Sequence, residues 1–354
     1  MLQSDTRQEV MSMSVTQLVQ RQDVRDTLDR IIPSYSRAQR TAMKVLGSSC
    51  NPRLVGTAFD YALRFDVLRR CPQAREQPWV AEASIQWIEG RLARMRAAGS
   101  PFGLVGAPGA LVDSEQLQRI VRRARRRVEN ARTFLRKHVQ RHTCDRAWMI
   151  RLAEHSLKLA RLDAIYRAGY LGDDLFADNA PELREQIISL LEHAAFDALL
   201  DGAEVVLNPT FGHYSRVVGG ADADLLVGGR LIDLKVCSRD NVERPMVRQL
   251  VAYLILAERA RREGQPLPQI KSLELYFARH AHLWRLRADL ILAHPEYPDV
   301  ERRFFEIAVN VVRRACMLPV AEPVRETKMR RPSPALRSRA RLTASAMAAR
   351  RTRF

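Results

Sequence analysis

The spacing of apolar residues divides the chain into three stretches. Up to about residue 175 they recur every three or four positions, over 17–30, 55–70, 80–97, 115–141 and 146–168, and so predict amphipathic helices. Pro33, Pro72, Pro101 and Pro108 interrupt this pattern, and residues 99–109 read as a loop. From 176 to 318 the periods mix. Glu182 to Leu200 keeps the helical spacing, with Leu183, Ile187, Leu190, Leu191, Ala194 and Ala195 on one side. Ala203 to Leu207 reads as a strand ended by Asn208-Pro209. Two short apolar runs then flank Gly228-Gly229, an apolar helical stretch covers Pro245 to Ala257, and Leu273 to Ala278 reads as a further strand. Residues 319–354 carry little apolar content and predict a disordered tail. The expected class is α/β: a mixed sheet flanked by helices, after a large helical region (1–175) that either stands apart or wraps the sheet.

The Gly-Gly pair sets the register of the central hairpin. Primed two-residue turns need positive φ at the loop positions, which glycine adopts without strain. Counting outward, Leu226 faces Leu231, Leu225 faces Ile232, Asp224 faces Asp233, and Asp222 faces Lys235. Opposed residues share a face, so three carboxylates and one ammonium project from one side. Ala223, Leu225, Val227, Ile232, Leu234 and Val236 form a core surface on the other. Opposed like charges destabilise a sheet, and a divalent cation between Asp224 and Asp233 would reverse that penalty. Mg²⁺, with Mn²⁺ as a substitute, suits two carboxylates and retains waters; Lys235 would then serve an attacking water or a phosphate. The alternative is an exposed hairpin in which Lys235 pairs with Asp222, worth ~0–1 kcal/mol. That alternative leaves Asp224 opposite Asp233 without a reason.

Asp224, eight intervening residues, then Asp233-Leu-Lys235 resembles the PD-(D/E)xK nuclease superfamily, although Ala223 stands where a proline commonly precedes the first Asp. Gln249 and Tyr253, four apart on one helix face, look like the Gln-x-x-x-Tyr motif of the RecB-type branch. The order helix, three strands, helix, strand over residues ~180–280 is that of the restriction-endonuclease-like core. The resemblance implies a Mg²⁺-dependent nuclease with Asp224 and Asp233 at the metal, Asp222 assisting, Lys235 at the water, and Gln249 and Tyr253 positioning the lysine or a phosphate. It also implies a ligand from an upstream helix. At the matching position, four after Gly56, stands Asp60 rather than His, so Asp60 is either a ligand or an ordinary helical acid. Glu192, before the first strand, is open to the same two readings.

Composition fits an anionic partner. The chain has 58 Lys and Arg against 40 Asp and Glu, a net charge of +18. Residues 321–354 hold ten Lys/Arg against two Glu. Arg122 and Arg126, on a long Arg-rich helix, are candidates for phosphate contact, as are Arg248, Arg279 and His280 near the core. The five cysteines are scattered without a Cys-x-x-Cys pair, which predicts a reducing, cytoplasmic setting and no zinc site. No apolar run approaches a membrane span, and no phosphate-binding Gly-x-x-x-x-Gly-Lys loop occurs, so strand unwinding would need a helicase partner. DNA is the expected substrate. An RNA-directed nuclease, or a nucleic-acid-binding protein that does not cut, remains open, as does the oligomeric state.

Overall fold

In the computed structural model the described residues are 14–317, apart from 48–50, 100–101, 105–110, 170, 173, 179, 202–203 and 219. The basic segment 319–354 lies outside them. The chain opens with two short helices, α1 (Val15–Leu18) and α2 (Gln22–Leu28), where the spacing predicts one. The break has a simple cause. Val15 and Val24 are nine residues apart, so at 3.6 residues per turn they would face opposite sides of a straight helix. Broken at Val19–Arg21, both halves reach one core.

Four long helices follow as the spacing predicts: α3 (Pro52–Arg70), α4 (Val80–Ala97), α5 (Ser114–His138) and α6 (Arg146–Ala168). Asn51, Asp113 and Asp145 cap α3, α5 and α6 by accepting backbone N–H bonds in the first turn. Three short strands were not expected among them. β1 (Arg75–Glu76) lies between α3 and α4, and β2 (Phe102–Leu104) pairs with β3 (Leu111–Asp113) within the region read as a loop.

The remaining elements are α7 (Pro181–Glu192), α8 (Phe196–Leu199), β4 (Val205–Leu207), α9 (His213–Val217), β5 (Leu225–Val227), β6 (Arg230–Lys235), α10 (Arg244–Arg262), β7 (Ser272–Phe277), β8 (His282–Arg287), α11 (Asp289–Leu292) and α12 (Tyr297–Met317). The expected helix 182–200 thus turns at His193–Ala195. β7 is not the last strand, because the chain reverses at Ala281 (φ +47°) and returns antiparallel as β8.

One mixed sheet runs β1-β4-β5-β6-β7-β8. β1 is parallel to β4, the β4-β5-β6 meander is antiparallel, and β7 is parallel to β6. A parallel pair needs a crossover, and α10 supplies it. Both faces of the sheet are covered. Leu225, Val227 and Ile232 pack with α3 to α7, while Leu226, Leu231, Leu273 and Leu275 pack with α1, α2, α10 and α12. The helical region therefore packs on both faces of the sheet, α3 to α6 on one and α1 and α2 on the other. No described helix is long and apolar enough to cross a membrane.

Candidate active site

The β5–β6 turn forms as its glycines dictate. Gly228 and Gly229 have φ of +55° and +89°, and Leu225, Leu226 and Val227 pair with Ile232, Leu231 and Arg230. A Cβ at Gly229 would lie 2.5 Å from the Gln269 carbonyl oxygen, so the second position excludes every other residue on space as well as on φ.

Regular pairing stops at Leu225. Asp224 sits in a bend, its carbonyl accepting from Asn208 N–H at 2.9 Å. Its side chain turns toward β6, where Oδ2 accepts from the Leu234 N–H at 2.5 Å. Asp233 is buried beside it, and Lys235 Nζ pairs with Asp233 Oδ2. That oxygen makes no hydrogen bond of normal geometry, so the contact is charge against charge. From α10, Gln249 Oε1 accepts from Lys235 Nζ at 3.2 Å. The Gln249 amide donates to Tyr253 Oη at 2.9 Å and to Thr16 Oγ1 of α1 at 3.3 Å. Both amide hydrogens and the carbonyl are thus engaged, which fixes the orientation of Gln249. The structure brings together Asp224, Asp233, Lys235, Gln249 and Tyr253.

The cross-strand pair Asp222–Lys235 does not form. The ladder ends three residues short of it, Asp222 bridges Thr210 instead, and its Oδ2 accepts from Arg167 Nη2 at 3.2 Å. Ala223 joins the core on the α10 side rather than the face of Leu225, for the same reason.

Two helices add acids to this cluster. In α3, Asp60 Oδ2 accepts from Arg64 Nη2 at 2.7 Å while Oδ1 is buried without a partner. In α6, Asp163 Oδ1 accepts from Arg167 Nε at 2.7 Å while Oδ2 is likewise orphaned. Both pairs are Asp-x-x-x-Arg, the spacing that sets side chains one turn apart. Five carboxylates (Asp60, Asp163, Asp222, Asp224, Asp233) therefore gather with three cations (Arg64, Arg167, Lys235). Burial drives the Asp224 carboxyl well above its ordinary range, and repulsion from Asp233 and Asp60 drives it further. Burial likewise raises Asp60, with Asp163 and Asp222 adding to the effect against Arg64. Burial alone would lower Lys235, but Asp233 and Asp224 reverse the sign and hold it above the usual lysine value. Burial, then the charges of Asp233 and Asp222, raises the Tyr253 phenol well above its usual value.

Asp163, Arg64, Arg167 and Thr16 were not singled out from sequence. The repeated Asp-x-x-x-Arg spacing was the available signal, but such pairs are common on exposed helices and nothing linear ties them to residues 222–235.

The expected nucleic-acid contacts divide. Arg248 is buried and pairs with Asp29 through Nη2 at 2.6 Å and Nε at 2.8 Å. Arg279 is buried and donates to the Leu46 carbonyl at 2.9 Å and to Gln186 Oε1 at 3.0 Å. His280 is buried between the carbonyls of Thr41, at 3.0 Å, and Ser238, at 3.2 Å. These three hold residues 29–46 against the sheet and do not line a groove. Glu192 is exposed at the end of α7 and pairs with Arg146, outside the carboxylate cluster. Arg122 and Arg126 are exposed on α5, without an ion pair among the described residues, whereas Arg125 and Arg132 pair with Glu89 and Glu82.

Among the described residues no group of three His, Cys, Asp or Glu side chains is set to hold a metal ion. Three carboxylates of the cluster, Asp60, Asp163 and Asp233, carry an unsatisfied oxygen, which suits an ion that keeps much of its water, as Mg²⁺ does. Two surface cavities lie elsewhere, one of about 380 Å³ lined by Asp26, Arg30 and Arg302, the other of about 530 Å³ lined by Asp66, Cys144 and Phe196. Comparison with protein-family models, with curated proteins and with solved structures gives no match for this chain.

Proposed function

We propose that the chain is a divalent-cation-dependent nuclease hydrolysing phosphodiester bonds, with DNA as substrate, on a restriction-endonuclease-like core. The observation that carries this reading is the convergence of Asp224, Asp233 and Lys235 at the edge of one hairpin, backed by Gln249 and Tyr253. The order α7, β4, β5, β6, α10, β7 supports the core assignment, and the net charge of +18 supports an anionic polymer as partner.

Asp224 and Asp233 are the residues that would hold the cation, with Asp60 the nearest further carboxylate. The unsatisfied Asp233 and Asp60 oxygens and the raised Asp224 are a fit for such an ion, because a buried, crowded acid group ionises readily only when positive charge compensates it. When bound, Mg²⁺ or Mn²⁺ supplies charge neutralisation and polarises the phosphate. Lys235 Nζ has three hydrogens, of which Gln249 takes up one, while Asp233 holds the ammonium by charge. A remaining hydrogen serves a water or a phosphate oxygen. Gln249, held on both sides by Tyr253 and Thr16, fixes where that hydrogen points.

One observation favours a second reading, binding without cleavage: although five carboxylates gather, no three His, Cys, Asp or Glu side chains among the described residues are set to hold one ion. Cleavage assays decide between the two. Supercoiled plasmid, linear duplex, single-stranded DNA and RNA would be incubated with Mg²⁺, Mn²⁺ or EDTA, using the native protein, Lys235→Ala and Asp233→Asn. The nuclease reading requires cation-dependent cutting that both substitutions reduce at least about 100-fold. Folded, nucleic-acid-binding protein that cuts nothing under any condition moves the assignment to binding alone. Cutting of RNA only would correct the substrate.

A further inference from the structure

Arg167, at the end of α6, differs from the other cations of the cluster in being open to solvent. Its side chain is 49 % exposed, while Asp163 beneath it is 1 % exposed. Two separate elements hold its guanidinium. Asp163 of α6 accepts from Nε at 2.7 Å, and Asp222, in the segment leading to β5, accepts from Nη2 at 3.2 Å. Nη1 has no partner among the described residues. A guanidinium is a planar fork of five donors, so fixing two nitrogens fixes the direction of the third. Asp222 stands two residues before Asp224, which places this fork at the rim of the candidate metal site.

We propose that Arg167 contacts a phosphate of the substrate, its Nη1 edge presented by Asp163 and Asp222 as a preset donor beside the hydrolytic carboxylates. The proposal rests on the phosphodiesterase reading above. It also explains a buried acid that reading does not use: Asp163 orients Arg167. Unneutralised, the surrounding carboxylates oppose any anion, so the contact operates only with the divalent cation in place. Lysine cannot replace the arginine, because one ammonium cannot bridge Asp163 and Asp222 and still direct a donor outward.

The test is equilibrium binding of a short fluorescent DNA duplex by the full chain, in Ca²⁺ and in EDTA, with native protein, Arg167→Ala, Arg167→Lys and Asp163→Asn, each first checked for native thermal unfolding. The expected result is roughly tenfold weaker binding by Arg167→Ala in Ca²⁺ and no change in EDTA, with Arg167→Lys failing to restore affinity. Asp163→Asn should give a smaller loss in Ca²⁺. Where cleavage is measurable, KM rises in Arg167→Ala. Unchanged Ca²⁺ affinity in folded Arg167→Ala, or equal losses in Ca²⁺ and EDTA, would overturn the proposal. Loss of cutting in Lys235→Ala with unchanged Ca²⁺ binding in Arg167→Ala would sink this inference alone. Binding that shows the expected Arg167 dependence without any cutting would sink the nuclease reading alone.

Discussion

Asp224 Oδ2 accepts a hydrogen bond from the backbone N–H of Leu234, the residue between Asp233 and Lys235, at 2.5 Å. The bond ties the bend before β5 to the end of β6. It holds two acids side by side that, in a sheet of ordinary composition, would be driven apart.

That juxtaposition predicts a stabilisation by cations. Adding Mg²⁺, Mn²⁺ or Ca²⁺ at neutral pH should raise the unfolding temperature of the native protein, because an ion that binds only the folded state adds RT ln(1 + [L]/Kd), ~3 kcal/mol at a hundredfold excess over Kd. Asp224→Asn keeps an acceptor for the Leu234 N–H and removes one of the repelling charges. It should unfold at or above the temperature of the metal-free native protein, show no cation-induced shift, and not cleave. Calorimetric scans with and without cation check this, and an undiminished shift in Asp224→Asn would remove that residue from the ion site.

Gly229→Ala tests whether the turn sets the site. Positive φ and a Cβ only 2.5 Å from the Gln269 carbonyl must both be relieved by moving β6 or the segment before β7. A loss of at least ~2 kcal/mol is expected in denaturant unfolding.

The same turn explains how much of the site was legible in the sequence. Gly-Gly between apolar runs constrains φ locally, and the faces of Asp224 and Asp233 follow from counting. The helix α10 was legible because its apolar face is long. Counting failed at Asp222, because the chain leaves the ladder at the Asp224 bend, which no residue pattern announces. β1 is two residues, Arg75 and Glu76, with no periodicity to read, and exists because it can pair with β4. Arg248, Arg279 and His280 looked like groove residues because basic side chains close in sequence to Asp224, Asp233 and Lys235 suggest phosphates. Their partners Asp29, Leu46 and Thr41 lie more than 200 positions away in the chain. Asp163 and Arg167 stayed hidden for the same reason: a helix pair meets the hairpin only in three dimensions.

Arg248 and the pair Arg122 and Arg126 should therefore respond oppositely to removal. Arg248→Ala leaves Asp29 with Arg244 alone and should cost about 2 kcal/mol of stability, while the salt dependence of DNA binding is unchanged. Replacing Arg122 and Arg126 together by Ala should alter stability by less than ~0.5 kcal/mol. If they meet phosphates, the slope of log affinity against log salt should fall by roughly two. A salt slope that drops in Arg248→Ala would return that residue to the binding surface.

Acid sensitivity should trace in part to His155. It lies in α6 against the Phe134 ring, with centroids 4.7 Å apart. Burial, and then the charges of Lys158 and Arg151, bring its pKa from 6.5 down to about 4, against a smaller opposing pull from Glu154. A folded pKa below the unfolded one means that the unfolded chain binds more protons between pH ~4 and ~6.5. The contribution of His155 is therefore complete above pH ~6.5 and is lost as the pH falls toward 4, with ~3 kcal/mol as an upper bound. His155→Phe keeps an aromatic ring against Phe134 and removes the proton site. It should match or exceed native stability at pH 5 while changing little at pH 8. A native protein that loses no more stability than His155→Phe between pH 8 and pH 5 would mean that His155 takes up its proton in the fold as readily as in the open chain.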